Sequence, residues 1–308
     1  MRSFKLFVFC LIPMLLSGQE VEENTLLTQV EHGYADNAGV KIHYAAIGEG
    51  PLVIMLHGFP DYWYTWRDQM QALRTHFRVV AMDLRAYNLS DQPPGVEAYN
   101  MSNLVQDVIA VIKAQGKNKA IIVGHDWGGA IAWQLAIHHP MFVEKLIVCN
   151  MTHPTARSRM ALKTLQINGN TSYMDDFRKH TAATLPISWL TGWVRDPIAK
   201  KKYEAAFRRS DVDGMINYYK ANTLTKEARA EWLADPSIKT LPQVDVPVLM
   251  IFGTKDQYVD KGGLNNTWDF MQKDLTLVTI PEAGHFVQQD ASELVSRSMR
   301  MWLLRDDY

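Results

Sequence analysis

The chain has 308 residues, 47% of them apolar and 21% charged, which is enough apolar material for a large core without a disulfide or metal staple. Its 32 basic and 33 acidic side chains leave a formal charge of −1, which lacks the basic excess of a duplex nucleic-acid binder. Only Cys10 and Cys149 occur, so a disulfide framework and a cysteine-rich zinc site are both excluded.

At the N-terminus Arg2 and Lys5 precede an apolar run, Leu6 to Leu16, followed by Ser17-Gly18-Gln19. That is the plan of a secretory signal. The run contains Pro13 and falls well short of the roughly 20 apolar residues of a membrane span. A cleaved signal over residues 1–18 is therefore expected, with a secreted or periplasmic product and no stable membrane insertion. A retained anchor is the alternative.

Next, His32 to Ala35 and Lys41 to Ala46 alternate around Asp36-Asn37-Ala38-Gly39, which predicts a hairpin. Short apolar runs follow: Leu52 to Leu56, Arg78 to Met82, Ala120 to Val123, Leu146 to Cys149, Val248 to Phe252 and Leu275 to Ile280. Runs with so few polar residues suit strands buried on both faces of a parallel sheet. Helical patterns lie between them, at Tyr64 to Leu73, Met101 to Ala114, Trp127 to His138 and Ala291 to Leu304. The alternation predicts a doubly wound α/β core. It stops over residues 154–242, which are rich in Trp, Tyr and charge and broken at Pro186, Pro197 and Asp235-Pro236. This stretch is expected to be a helical cap inserted between core segments 19–153 and 243–308.

The chemistry concentrates at Gly124-His125-Asp126-Trp127-Gly128-Gly129, where a strand ends and a helix begins. Small residues at −2, +2 and +3 around the central residue mark a nucleophile elbow, with Asp126 where a serine is usual. A serine esterase is thereby excluded. A carboxylate is already ionised at pH 7, and a helix N-terminus favours that charge further. Asp126 can attack a saturated carbon directly and form an alkyl ester, so the substrate needs an epoxide oxygen or a halide as leaving group. The alternative role for Asp126 is a helix N-cap.

His57-Gly58-Phe59-Pro60 follows the first buried run. The Phe59 and Trp127 backbone N–H groups are the expected oxyanion hole. Asp256 lies in Gly253-Thr254-Lys255-Asp256 after a buried strand, and His285 lies in Gly284-His285-Phe286 after the last one. The order nucleophile, acid, histidine is that of a triad on this kind of turn. His285 would activate water and Asp256 would orient it, with Asp260 and Glu282 as rival acids.

These segments, with His57-Gly-Phe-Pro-Asp-Tyr-Trp-Tyr-Thr-Trp-Arg67, Asp83-Leu-Arg-Ala-Tyr-Asn-Leu-Ser-Asp91 and Gly284-His-Phe-Val-Gln-Gln289, resemble the epoxide hydrolases of the α/β-hydrolase superfamily. The resemblance covers about residues 30 to 305. It implies an α/β-hydrolase fold, a small-molecule epoxide and water as reactants, and neither cofactor nor metal. It also implies two cap tyrosines that bond the epoxide oxygen. Tyr173 and Tyr219 match those positions, with Tyr218 the rival of Tyr219. Trp66, Trp127 and His153 are expected to bind substrate, His153 with core packing as its alternative. Ala86 stands where relatives commonly carry Gly. A haloalkane dehalogenase with the same triad and a non-catalytic ligand receptor are the other readings.

Overall fold

The computed structural model describes residues 26–158, 173–223, 231 and 243–305. The expected signal over residues 1–18, the Asp235-Pro236 break and parts of the cap lie outside them. Among the described residues no helix is long and apolar enough to cross a membrane.

Strands β1 (Glu31–Asn37) and β2 (Val40–Ile47) form the hairpin expected from their alternation. Its turn uses Ala38 at φ 52 and Gly39 at φ 91, the left-handed pair that matches strand twist. Six more strands follow: β3 (Leu52–Leu56), β4 (Arg78–Met82), β5 (Ala120–His125), β6 (Val143–Cys149), β7 (Val248–Gly253) and β8 (Leu275–Ile280). Together they make one sheet in the order β1-β2-β4-β3-β5-β6-β7-β8. The pairs β1–β2 and β2–β4 are antiparallel, and every other pair is parallel. Every residue of β3, β5 and β7 is buried, as unbroken apolar runs require when helices cover both faces.

Helices α1 (Arg67–Leu73), α2 (Met101–Ala114) and α3 (Trp127–His138) supply part of that cover. Asn100 starts α2 by accepting the Asn103 N–H at 3.0 Å. Between β6 and β7 the described residues contain helices and no strand: α4 (Tyr173–Phe177), α5 (Ile187–Leu190), α6 (Pro197–Phe207) and α7 (Val212–Asn222). Two prolines read as breaks turn out to begin helices. Pro186 precedes α5 and Pro197 opens α6, where a missing N–H costs nothing. Helices α8 (Val287–Asp290) and α9 (Ser292–Leu303) finish the described chain.

Ala86 has φ 74. It stands in the left-handed region that glycine would occupy without strain, and a residue with a Cβ carries about 1 kcal/mol there. The strain sits in the loop after β4.

Candidate active site

Strand β5 runs straight into α3 with a single residue between them. That residue, Asp126, has φ 50 and ψ −120, a conformation rare for any residue with a side chain. Such strain persists only where the surroundings enforce it. Here the enforcement is close packing. A Cβ on Gly128 would overlap the carbonyl oxygens of Leu56 and His57, and one on Gly124 would overlap Gly128. The small residues at the elbow are therefore a steric requirement of the turn.

Asp126 makes no capping hydrogen bond to α3. Its side chain points the other way, where Oδ1 accepts the Phe59 N–H at 2.9 Å. Its Oδ2 faces His285 Nε2 at 3.6 Å. The N-cap alternative thus fails on geometry. Phe59 is held in place by its neighbours. His57, fully buried, donates from Nδ1 to the Gly58 carbonyl at 2.8 Å and accepts the Leu84 N–H on Nε2 at 3.0 Å. Burial pushes His57 down to about 4, so it is a neutral brace at physiological pH.

His285 Nδ1 bonds Asp256 Oδ2 at 2.9 Å. The rival acids are engaged elsewhere. Asp260 accepts the Gly262 N–H at 2.7 Å, and exposed Glu282 pairs with Lys255. Two further polar groups fix the pair: Asn150, which no motif marks, and His125, which lies in the elbow motif without a role predicted for it there. Asn150, one residue past β6 at φ 43, donates to Asp256 Oδ2 at 2.6 Å and accepts the Gly253 N–H at 2.8 Å. His125 donates from Nε2 to the His285 carbonyl at 2.8 Å. The backbone N–H groups of Tyr258 and Val259 hold Asp256 Oδ1 at 2.7 and 3.0 Å.

The electrostatics follow from this crowding. Burial by itself lowers His285, but the flanking carboxylates of Asp126 and Asp256 outweigh it and raise the imidazole to about 9. Burial by itself raises Asp126. The His285 cation, His125 and the Phe59 N–H overcome it and hold the carboxyl below its ordinary value. Asp256 behaves alike: burial opposes ionisation, and His285, Asn150 and the Tyr258 N–H more than offset it. The resting site is a buried imidazolium between two carboxylates.

Above the triad lies a cavity of about 440 Å³. Phe59, Asp126 and His285 form its floor, and Phe177, Trp189, Trp193 and Tyr219 line it from the cap. Tyr258 and Phe286 complete an aromatic wall. Tyr219 stacks on Phe177 at 4.9 Å and meets Phe59 edge-on at 5.5 Å. Its neighbour Tyr218 is fully buried and donates to the Arg85 carbonyl at 2.9 Å, outside the cavity. One position along a helix rotates a side chain by about 100°, so only one of two adjacent tyrosines can face the cavity. Tyr173 opens the short helix α4, and its side chain lies outside the described part of the structure.

Three expected substrate contacts need correction. Trp66 is fully buried and absent from the cavity wall, because the 3-10 turn Trp63–Trp66 directs it into the core. His153 is also fully buried, stacked on Phe270 at 4.6 Å and edge-on to Trp133 at 5.1 Å. The Trp127 side chain lines a separate cavity of about 230 Å³ and meets Tyr219 edge-on at 5.0 Å. It packs behind the aromatic wall. Among the described residues no group of three or more His, Cys, Asp or Glu side chains is placed to hold a metal ion.

The alpha/beta hydrolase fold family model matches residues 51–292. The chain is 30% identical to Epoxide hydrolase 1 of Caenorhabditis elegans, over 94% of this chain and 74% of that relative. It is 31% identical to the AB hydrolase superfamily protein YfhM of Bacillus subtilis (strain 168), over 88% of this chain and 96% of that one. The crystal structure of a point mutant of an epoxide hydrolase from Bacillus megaterium superposes with a TM-score of 0.78 at 31% identity, covering 89% of this chain and all of that one. A second mutant of that enzyme, crystallised with its naphthyloxy propanediol product, superposes with a TM-score of 0.77 at 31% identity over the same 89% of this chain and all of its own.

Proposed function

This chain belongs to the α/β-hydrolase fold family, as an epoxide hydrolase-like hydrolase, and we propose that it converts an apolar epoxide to a vicinal diol through an ester on Asp126. The observation that carries this reading is the division of labour at Asp126. One carboxylate oxygen is held by the Phe59 N–H, and the other faces both the cavity and His285.

In the first half-reaction Asp126 Oδ2 attacks an epoxide carbon and the C–O bond breaks. The departing oxygen takes a proton from a tyrosine hydroxyl, in the role of Tyr219 and its partner Tyr173. In the second, His285, no longer facing an Asp126 carboxylate, releases its resting proton to solvent, and water then gives a proton to the neutral Nε2 as its oxygen adds to the ester carbon. The developing charge falls on Oδ1, which the Phe59 N–H already holds, with the N–H of Trp127 at the start of α3 as the proposed second donor. Collapse of this intermediate releases the diol oxygen, which takes the proton from His285. The Asp126 carboxylate returns with one oxygen from water, and the second proton of that water restores the tyrosine hydroxyl.

Oxygen tracing tests this scheme directly. In one turnover with excess enzyme in ¹⁸O-water, the label enters Asp126 and the diol stays unlabelled. Label in that first diol would mean direct attack of water on the epoxide and would overturn the ester scheme. Tyr219→Phe removes one proton donor, and kcat is expected to fall about 10- to 100-fold. Fold and dissociation constant for a diol product should change little. A kcat equal to the parent's would remove Tyr219 from the reaction.

One observation favours haloalkane dehalogenation as a second reading. The Trp193 indole lines the cavity, and its buried Nε1 has no hydrogen-bond partner. That N–H is suited to a halide, but Phe59 adds no side-chain donor and Trp127 faces another cavity. Chloride or bromide release from haloalkanes, with epoxides untouched, would establish it.

A further inference from the structure

The motif residues Asp61, Thr65, Gln288 and Gln289 take no part in the scheme above, yet they are joined. Asp61 is fully buried. Its Oδ1 accepts the Tyr203 hydroxyl at 2.7 Å and the Tyr62 N–H at 2.8 Å. The Tyr203 oxygen accepts Gln289 Nε2 at 3.0 Å, and the same amide donates to the Thr65 hydroxyl at 2.8 Å. Thr65 also accepts Gln288 Nε2 at 2.9 Å, and Arg67 donates to Gln289 Oε1 at 3.3 Å.

The chain of bonds joins two segments that border the cavity, the Phe59 loop and the His285 segment, to a cap helix that reaches the cavity wall through Trp193. Asp61 is two residues past Phe59, Tyr203 belongs to cap helix α6, and Gln289 is four residues past His285. Tyr203 also meets Trp193 edge-on at 5.1 Å, and Trp193 stacks on Phe286 at 3.8 Å. Both of those rings line the cavity.

We propose that Asp61 is a positioning residue whose buried carboxyl, acting through Tyr203 and Gln289, clamps the cap helix and the His285 loop onto the loop carrying Phe59. The clamp holds the cavity wall closed over the triad. It touches no reacting atom.

Its environment makes the clamp sensitive to pH. Burial pushes Asp61 up to about 7, against the pull of the Tyr203 and Thr65 hydroxyls, the Tyr62 N–H and the Arg67 charge. The titratable and charged groups facing it are Arg67 and Tyr62 from its own loop and the helix after it, Tyr203 from the cap, and Tyr87 from the loop after β4. The closed form favours the protonated carboxyl, whereas an opened one lets the carboxylate reach water. Opening therefore becomes easier as pH rises from the ordinary carboxylate range to about 7, and levels off above it.

Hydrogen exchange of the full chain, followed by mass spectrometry at pH 6 and pH 8.5 and corrected for intrinsic rates, tests the clamp. Tyr203→Phe should speed exchange about tenfold or more in residues 197–207 and 284–290, and leave α2 unchanged. Asp61→Asn keeps the acceptor oxygen but cannot ionise, so it should remove the extra opening that the parent shows at the higher pH. Parent-like exchange in these segments for both variants would overturn the proposal. If Tyr203→Phe loosens the whole chain, Asp61→Asn decides: loss of the pH-dependent opening supports the clamp, and its retention refutes it.

The inference rests on the epoxide hydrolase reading only for its kinetic consequence, a raised KM and lowered kcat in Tyr203→Phe. Failure of the parent to turn over any epoxide would sink the functional reading, while exchange would still decide the clamp.

Discussion

Replacing His285 with glutamine is expected to stop the reaction after a single event and leave an alkyl ester on Asp126. The first half-reaction needs the Asp126 carboxylate and a proton donor to the epoxide oxygen, and glutamine supplies neither less nor more of these. The second needs a base for water, which glutamine lacks. Steady-state kcat should fall by about 10³ to 10⁴. Intact-mass spectrometry after incubation with a small epoxide should show a gain equal to the whole epoxide. Absence of that adduct across an epoxide panel would count against the ester. A gain equal to an alkyl group without its halide, from a haloalkane, would move the protein to dehalogenation.

The same variant explains how the base is made ready. In the resting protein His285 is raised to about 9 by two carboxylates and holds a proton at neutral pH. Alkylation converts Asp126 into a neutral ester and removes one of them. The imidazole then falls below about 9 and becomes a competent base at the moment water is needed. The rate of ester hydrolysis should therefore rise with pH and level off below about pH 9. Alkylation should remain flat down to the carboxylate range, because Asp126 stays ionised below its ordinary value.

Asp126→Asn is expected to abolish alkylation, with a loss of about 10⁴-fold or more in kcat. An amide oxygen is a poor nucleophile, while the shape of the elbow is preserved. The readout that separates this from misfolding is the histidine itself. With one carboxylate gone, His285 should titrate below about 9 by NMR. Stability should follow. A histidine raised above its ordinary 6.5 favours the folded state most fully below pH 6.5, and that contribution is lost as pH rises toward about 9. The variant should lose less stability across that window than the parent does. A variant with the parent's His285 titration would show that Asp126 does not share its charge with the base.

Both arguments depend on residues visible in the sequence, and the reason is local. The elbow, the His57-Gly58-Phe59-Pro60 loop and the strand ends before Asp256 and His285 are short segments whose backbone path follows from apolar runs and small residues. Strands β3, β4 and β8 span the same residues as the apolar runs that announced them. Where prediction stopped short, pairing extended the strand. His125 pairs with Cys149 in the parallel ladder, which carries β5 right up to Asp126.

The sequence by itself determined that a carboxylate sits in a strained strand-to-helix turn, that an acid and a histidine follow in order, and that a helical segment interrupts the α/β alternation. Tertiary structure decided which aromatic side chains line the cavity. Trp66 and His153 look like cavity residues beside their motifs, but long-range packing turns both into the core. Asn150, His125 and the Asp61 clamp act across more than 100 residues of chain, through contacts that no local pattern encodes. A motif records the backbone's local path. The direction of a large side chain is set by what remains unfilled after distant segments have packed, and that is known only when the whole chain has folded.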